Sequence, residues 1–402
     1  MINNERFVSG IRRRSWAEID LERAEQNYLA LKENISPKCK ICCVIKANAY
    51  GHGAVPMAKL YEKLGADYLA VSNIEEALQL RENRIALPIL ILGYTPEECA
   101  SILAEHKITQ CVYSYDYGTR LADAAKRAGV QLKIHIKLDT GMGRIGFLYR
   151  KNGADELNQV IEICQRKEFF PEGIFTHFAT ADDPSEEGEE FTEEQRLLFE
   201  QSVEYLAGQG LTFDIRHCAN SAATLKNSAP SFNMVRLGIV LYGLASQLPG
   251  ATELSPVMTL KSVISHIKEL EVGESVGYGR RFLAAERRRI ATVPIGYGDG
   301  FWRANRRTCG GMLVKGEYAP IVGNVCMDQT MLDVTDLPCN VGDEVTVFGA
   351  DERCSAEAIA KRNETISYEI VCSLNQRVPR CFLKNGSIEE WQDPIYHSDL
   401  DM

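Results

Sequence analysis

Short apolar runs alternate with helical stretches eight times before residue 245, and no other feature narrows the fold of this chain so far. The runs are Ile41–Ile45, Tyr68–Val71, Pro88–Leu92, Gln110–Tyr113, Leu132–Leu138, Gly173–Phe178, Phe213–His217 and Met234–Leu241. Between them lie stretches with the apolar spacing of helices, such as Ser72–Arg81, Tyr115–Ala128, Asp155–Arg166 and Glu193–Leu206. Strands that alternate with helices pair in parallel, and eight of them predict an α/β fold closed into a (β/α)8 TIM-type barrel.

After Gly243 the texture changes. Helical periodicity fades and β-branched runs appear at Leu260–Ile267, Ile290–Ile295, Ala319–Val325, Met331–Val334 and Glu344–Phe348. Turn residues separate them, as in Val272–Gly273–Glu274 and Val341–Gly342–Asp343. This predicts a mostly antiparallel β domain, with helices near Ser355–Lys361 and Tyr368–Leu374. At 402 residues the chain exceeds the roughly 250–300 that one core usually supports, so two domains are expected. The expected division is an N-terminal segment at 1–13 packing with the C-terminal domain, the barrel at 14–245 and the β domain at 246–402. The acidic stretch Asp182–Glu190 reads as a solvated loop whose first residues line an entrance.

Charge and composition exclude several classes. A net charge of −10 argues against nucleic acid as partner, because phosphate binding needs a basic face. No apolar stretch follows Arg12–Arg13–Arg14, so a signal peptide is not expected, and no run approaches the 18 or so apolar residues of a membrane span. A cytoplasmic enzyme without membrane attachment is expected. Thirteen irregularly spaced cysteines read as reduced core residues. Cys39 and Cys42 form a C-x-x-C without the second pair a zinc site needs, so no metal is expected.

In such a barrel the loops after the strands carry the active site. The first strand leads to Lys46 and Tyr50. The fifth carries Lys137 and leads to Arg144. The sixth ends at His177, the seventh leads through His217 to Asn220 and Ser221, and the eighth holds Arg236 and Gly238. Lys46 is the most informative of these, because a lysine closing a buried strand must neutralise or find a partner, and a neutral amine is a nucleophile suited to carbonyl cofactors. The alternative is a lysine that caps a strand at the surface. Gly141, Gly143 and Gly146 also form a literal G-x-G-x-x-G, the dinucleotide pattern. It follows the fifth strand rather than the first, and a catalytic loop around Arg144 explains it equally well.

These residues sit in motifs that resemble the alanine racemases, pyridoxal-phosphate enzymes of fold type III. The motifs are KANAYGHG at Lys46–Gly53, HIKLDTGMGRIGF at His135–Phe147, FTHFATAD at Phe175–Asp182, HCANSAA at His217–Ala223 and MVRLGIVLYG at Met234–Gly243. VGYG at Val276–Gly279, IGYGDG at Ile295–Gly300, GNVCMDQ at Gly323–Gln329 and SYEI at Ser367–Ile370 continue the likeness. It runs from Trp16 to Arg380.

The resemblance implies pyridoxal 5'-phosphate on Lys46 as a Schiff base, and a homodimer with shared sites. Lys46 and Tyr278 of the partner subunit would be the two bases, with His177 and Arg236 supporting the tyrosine. Tyr50, Ser221, Gly238, Ile239 and Tyr368 would bind phosphate, with Asn220 beside them, and Arg236 would meet the pyridine nitrogen. Arg144 and Met327 would bind substrate, Lys137 would carry a carbamate, and Asp182, Tyr297 and Arg303 would form the entrance. D-alanine made for peptidoglycan would be the product. Two rival activities share the cofactor. A decarboxylase would carry a carboxylate at the ring nitrogen and a GEPGR-type loop, neither of which matches. A serine or broad-specificity racemase shares the motifs but usually replaces the tyrosine of SYEI, which this chain keeps as Tyr368. A barrel-only pyridoxal-phosphate carrier would lack the second domain.

Overall fold

The computed structural model describes residues 14–150, 155–226, 232–245, 248, 254–306 and 310–395. The segment 1–13 lies outside them. The chain folds as two compact units. One comprises Glu25–Ala49 and Ala54–Leu254, the other Tyr50–Gly53 and Ser255–Met402 with the stretch before Glu25.

Continuous apolar strands need cover on both faces, which parallel sheets with flanking helices provide. The first unit is built this way. After an N-terminal strand, β1 (Ser15–Asp20), come β2 (Lys40–Val44), β3 (Tyr68–Val71), β4 (Ile89–Ile91), β5 (Ile108–Val112) and β6 (Leu132–Asp139). A short β7 (Phe147–Leu148), β8 (Phe169–Phe175), β9 (Ile215–His217) and β10 (Met234–Leu237) follow. The order β10-β2-β3-β4-β5-β6-β8-β9 is parallel throughout, with β7 appended to β6. Cys42, Cys43, Leu69, Leu90, Ile134 and Ile174 are fully buried in it. The last gap, between β9 and β10, is bridged by Asn233 N to Arg216 O at 3.1 Å, Arg216 N to Asn233 Oδ1 at 2.8 Å and Arg236 N to Ala219 O at 3.0 Å. The expected eight-stranded barrel is therefore present and nearly closed.

Three readings are corrected. The acidic stretch is only partly a loop, because the helix Glu186–Gly208 begins inside it. Ser185 caps that helix by accepting from Gly188 N, and Glu186, Glu187 and Glu189 sit in its first turn, where the helix dipole favours negative charge. The chain's division also differs from the expected one. The strand β1, read as part of the barrel segment, pairs antiparallel with Met258–Val263 and parallel with Arg380–Lys384 in the second unit, and the change of unit falls at Leu254/Ser255. Finally, the run Leu260–Ile267 is two strands.

The second unit contains β11 (Met258–Val263), β12 (His266–Leu270), β13 (Ser275–Val276), β14 (Phe282–Leu283), β15 (Arg288–Val293), β16 (Gly311–Val314) and β17 (Glu317–Pro320). It ends with β18 (Thr330–Asp333), β19 (Glu344–Phe348), β20 (Arg380–Lys384) and β21 (Ser387–Gln392). Seven strands in the order β17-β16-β19-β11-β1-β20-β21 form its main sheet, antiparallel except for β1 with β20. The sheet β12-β15-β18 buries Leu270, Ile290 and Met331 with Val276, Ala284 and Val322. Helices Ala356–Arg362 and Ser367–Cys372 fall where the sequence predicts them.

Candidate active site

Lys46 lies two residues past the end of β2 and is half-buried, next to fully buried Ile45 in the chain. The backbone after it is unusual. Ala47, Asn48, Ala49 and Tyr50 take φ of 51°, 54°, 53° and 53°, a full left-handed turn without a glycine. Such a conformation costs L-residues roughly 1–2 kcal/mol each, so neighbouring contacts must hold it. Glu76 accepts from Ala47 N at 2.6 Å and Ser72 N at 2.7 Å, and Asn48 Oδ1 accepts from Ala54 N at 2.8 Å. Tyr242 OH donates to Val44 O at 3.1 Å beneath the turn. Chain strained at one lysine and anchored on both sides is chain that fixes where the amine points.

Arg236 lies buried at the end of β10. Its Nη1 donates to His217 Nδ1 at 2.9 Å, and its Nη2 donates to Thr176 O, His177 Nδ1 and Cys218 O at 3.0, 3.0 and 3.1 Å. Because a guanidinium only donates, both histidines present unprotonated Nδ1 atoms to it. Burial, then Arg236, Lys137, Arg144 and Lys46, push His177 well below the usual histidine range. Of those four cations Arg236 touches the ring, and the charges of the other three act on it from further away. Lys137 is buried, its ammonium 5.7 Å above the Phe175 ring, and burial draws its pKa down to about 8.

The loop after β6 settles the glycine pattern. Asp139 accepts from the amides of Gly141 at 3.0 Å, Gly143 at 3.1 Å and Arg144 at 3.1 Å. The amides a pyrophosphate would need are thus turned onto the chain's own carboxylate, which also repels a second anion. At Gly146 a Cβ would meet Asp139 N at 2.6 Å, so that glycine serves close packing. Arg144 itself is exposed at the loop's tip.

Asn220 caps the helix Ser221–Leu225 by accepting from Ala223 N at 3.0 Å, which gives it a structural task. Ser221 Oγ accepts from Gly238 N at 3.0 Å, bringing the loops after β9 and β10 together. The Ile239–Tyr242 turn starts beside them, and first-turn amides have no partner within their own helix. Asp182 is exposed in the loop after β8.

The second unit carries the remaining expected residues. Tyr278 is 74% exposed, and Asn324 Nδ2 donates to its carbonyl at 2.6 Å. Tyr297 N donates to Cys326 O at 3.1 Å and Gly298 N to Met327 O at 2.9 Å. Three loops holding Tyr278, Tyr297 and exposed Met327 are thereby linked, with Arg303 in the turn that follows. Tyr50 and Tyr368 form a ring pair at 5.8 Å. Gly51 is held against Val371, where a Cβ would meet the carbonyl oxygen at 2.2 Å.

Sequence reasoning missed Glu76, Thr176, His135 and Glu172. The signal for His135 was present: Lys133, His135, Lys137 and Asp139 share one face of β6 by the two-residue period, and that face is rarely polar unless it carries work. Among the described residues no cluster suited to a metal occurs, and none of the described cysteines is in a disulfide.

Comparisons with known proteins agree with this geometry. Residues 19–246 match the alanine racemase N-terminal domain and residues 257–382 the alanine racemase C-terminal domain. Alanine racemase 1 of Clostridium acetobutylicum is 41% identical over 379 residues, covering 93% of this chain and 96% of that protein. The alanine racemase of Methanococcus maripaludis is 41% identical over 374 residues, covering 92% and 98%. Among solved structures, alanine racemase of Clostridium difficile is 40% identical and superposes with a TM-score of 0.88, covering 96% of this chain and all of the other (100%). The Bacillus anthracis alanine racemase with bound L-Ala-P is 35% identical with a TM-score of 0.87, covering 96% and 99%.

Proposed function

The chain belongs to the alanine racemase family, and from that premise we propose that it interconverts L-alanine and D-alanine with pyridoxal 5'-phosphate as cofactor. The observation that carries the reading is buried Arg236, hydrogen-bonded to His177 and His217 at the carboxyl end of a nearly closed parallel barrel whose first strand leads to Lys46. The donor set fits the cofactor. An amine, a buried guanidinium, a serine hydroxyl and first-turn amides suit, in turn, a carbonyl, a ring nitrogen and a phosphate.

When bound, pyridoxal phosphate supplies an electron sink that acidifies the α-hydrogen of an amino acid. Lys46 would hold it covalently. Ser221, the amides of Gly238 and Ile239, and the hydroxyls of Tyr50 and Tyr368 would bind its phosphate, with Asn220 fixing the helix that carries Ser221. Arg236 stays cationic and has no acceptor, so it would deny the ring nitrogen a proton, weakening the sink and favouring return of the hydrogen over transamination.

Racemisation removes a proton from one face of the α-carbon and delivers one to the other, which a single base does not easily do. We assign Lys46 to one face and Tyr278 of the partner subunit to the other. His177 presents Nδ1 to Arg236, which leaves Nε2–H to donate toward that phenol. The exposure of Tyr278 and Met327 on linked loops supports a homodimer in which they complete a neighbour's site. Arg144 would take the substrate carboxylate and Met327 would border the substrate. Asp182, Tyr297 and Arg303 would form the entrance. A neutral amine reacts with carbon dioxide, and Lys137, with a pKa of about 8, has the chemistry for a carbamate that pairs with Arg144. The product would supply peptidoglycan synthesis in the cytoplasm. No described helix is long and apolar enough to cross a membrane.

The nearest rival substrate is serine. Tyr368 is a bulky neighbour that suits a methyl better than a hydrated hydroxymethyl group. One small group in an apolar pocket discriminates by about 1–3 kcal/mol, so kcat/KM for L-alanine should exceed that for L-serine by roughly tenfold or more. Racemisation of both amino acids by the holoenzyme, followed by chiral separation, tests this. Serine turning over as fast as alanine, or neither turning over, would overturn the assignment.

A further inference from the structure

Arg236 lies buried, and among the described residues no carboxylate touches it. A chain of hydrogen bonds nevertheless joins it to one through the inside of the barrel. Arg236 Nη1 donates to His217 Nδ1 at 2.9 Å. His217 Nε2 lies 3.0 Å from His135 Nδ1, and His135 Nε2 lies 3.3 Å from Glu172 Oε2. Tyr68 OH donates to the same Oε2 at 2.6 Å, and Lys133 Nζ donates to Oε1 at 2.7 Å. Both histidines are fully buried.

Only one proton arrangement satisfies these bonds. A guanidinium has no acceptor and a carboxylate has no donor, so the two ends fix the polarity. His217 accepts at Nδ1 and donates from Nε2; His135 does the same. A protonated His135 would turn Nδ1–H toward His217 Nε2, force His217 to carry its proton on Nδ1, and set that proton against the guanidinium. Burial holds His135 below the usual histidine range, in keeping with a neutral ring. Burial alone would raise the Glu172 carboxyl, but bonds from His135, Lys133 and Tyr68 hold it down at about 2.

The backbone is shaped for this chain. The register between β6 and β8 slips between Ile134 and His135, so Pro171 faces Ile134, Gly173 faces His135, and Glu172 is the extra residue of a bulge. A bulge re-aims a side chain, and Pro171 offers no amide to the ladder there. At Gly173 a Cβ would meet the His135 ring at 2.6 Å, so the absent side chain is the space the imidazole occupies. His217 stacks on Phe175 at 4.7 Å and meets His135 edge-on at 5.2 Å. An apolar filling would satisfy a barrel core more cheaply than four polar side chains.

We propose that Glu172 is a positioning residue for the reaction, acting through His135 and His217 to hold an acceptor against Arg236 and so fix the guanidinium at the mouth of the barrel. The proposal rests on the assignment of Arg236 to the cofactor's ring nitrogen made above. Its first test does not depend on turnover. Long-range proton–nitrogen spectra of holoenzyme labelled at its seven histidines report which ring nitrogen carries hydrogen. His135 and His217 are expected as neutral Nε2–H forms from pH 6 to 8. A hydrogen on Nδ1 of either would overturn the chain, whether or not alanine is the substrate.

Variants then test the consequence. Glu172→Gln keeps an oxygen that can accept from His135, so both tautomers should persist and kcat should fall little. Glu172→Leu leaves His135 Nε2–H without an acceptor, and kcat should fall on the order of tenfold with KM for alanine nearly unchanged. The double variant with His217→Phe should lose much less than the two single losses multiplied, because both break one chain. Multiplicative losses, or full kcat in Glu172→Leu, would overturn the role of Glu172. Should Glu172→Leu not fold, the tautomers of wild type and of Glu172→Gln still decide the matter.

Discussion

The charges of Lys46 and Lys137 both act on His177, but their environments give them different tasks. Lys46 stands on a turn whose strain is held by Glu76 and Asn48, whereas Lys137 is sealed inside the barrel. Borohydride reduction of the holoenzyme should therefore attach the cofactor to the peptide containing Lys46; recovery on Lys137 would refute the assignment. For Lys137 the sign of the pH effect follows from its lowered pKa. The folded value of about 8 lies below the ordinary 10.5, so the unfolded chain binds the extra proton between them. The cost of burying the amine is full below about pH 8 and fades as pH rises toward 10.5. In buffer free of carbon dioxide, Lys137→Met should gain up to about 3 kcal/mol at pH 7, shrinking above pH 8, measured by urea denaturation. With labelled bicarbonate, wild type should give one carbamate carbon resonance that Lys137→Met lacks. Lys46 and Lys137 were legible because a lysine at or inside an otherwise apolar run stands out from its neighbours. Glu172 was not legible, because neither a bulge nor a contact across the barrel leaves a periodic trace in one strand.

At the scale of elements, the left-handed turn after β2 gives the sharpest test. Ala47 is exposed, so its side chain has little packing to lose, and any effect of substitution reports the backbone. A β-branched residue at φ 51° is strained well beyond alanine, whereas glycine adopts that region freely. Ala47→Val should lower stability by about 1–2 kcal/mol, and Ala47→Gly should be neutral or stabilising; equal effects of the two would mean the turn relaxes at little cost. Sequence patterns marked the barrel strands and the helix Tyr115–Ala128 well, since continuous apolar runs and a 3.6-residue period are local signals. The same patterns gave no hint of a left-handed turn in Ala47–Tyr50, which contains no glycine. They did not mark β1 as a strand at all, because a six-residue stretch such as Ser15–Asp20 does not state which sheet it will join.

The largest question concerns the whole molecule, because Lys46 and Tyr278 belong to different compact units of one chain. Tyr278 is 74% exposed and Met327 53%, on loops tied to one another through Asn324 and the Cys326–Met327 backbone. Large apolar side chains held out on ordered loops are what an interface needs. A head-to-tail homodimer in which each chain lends Tyr278 to its partner makes a distinctive prediction. Lys46→Ala and Tyr278→Phe should each nearly abolish racemisation as homodimers. When the two variants are mixed and allowed to exchange subunits, a mixed dimer has one site with both defects and one with neither. A statistical mixture contains half mixed dimers, so activity should return to about a quarter of the wild-type value per site. If each site drew both residues from one chain, every site would carry one defect, and mixing would restore nothing. Absence of recovery, with exchange verified by mass-tagged subunits, would sink the shared-site dimer while leaving the barrel chemistry around Lys46 intact.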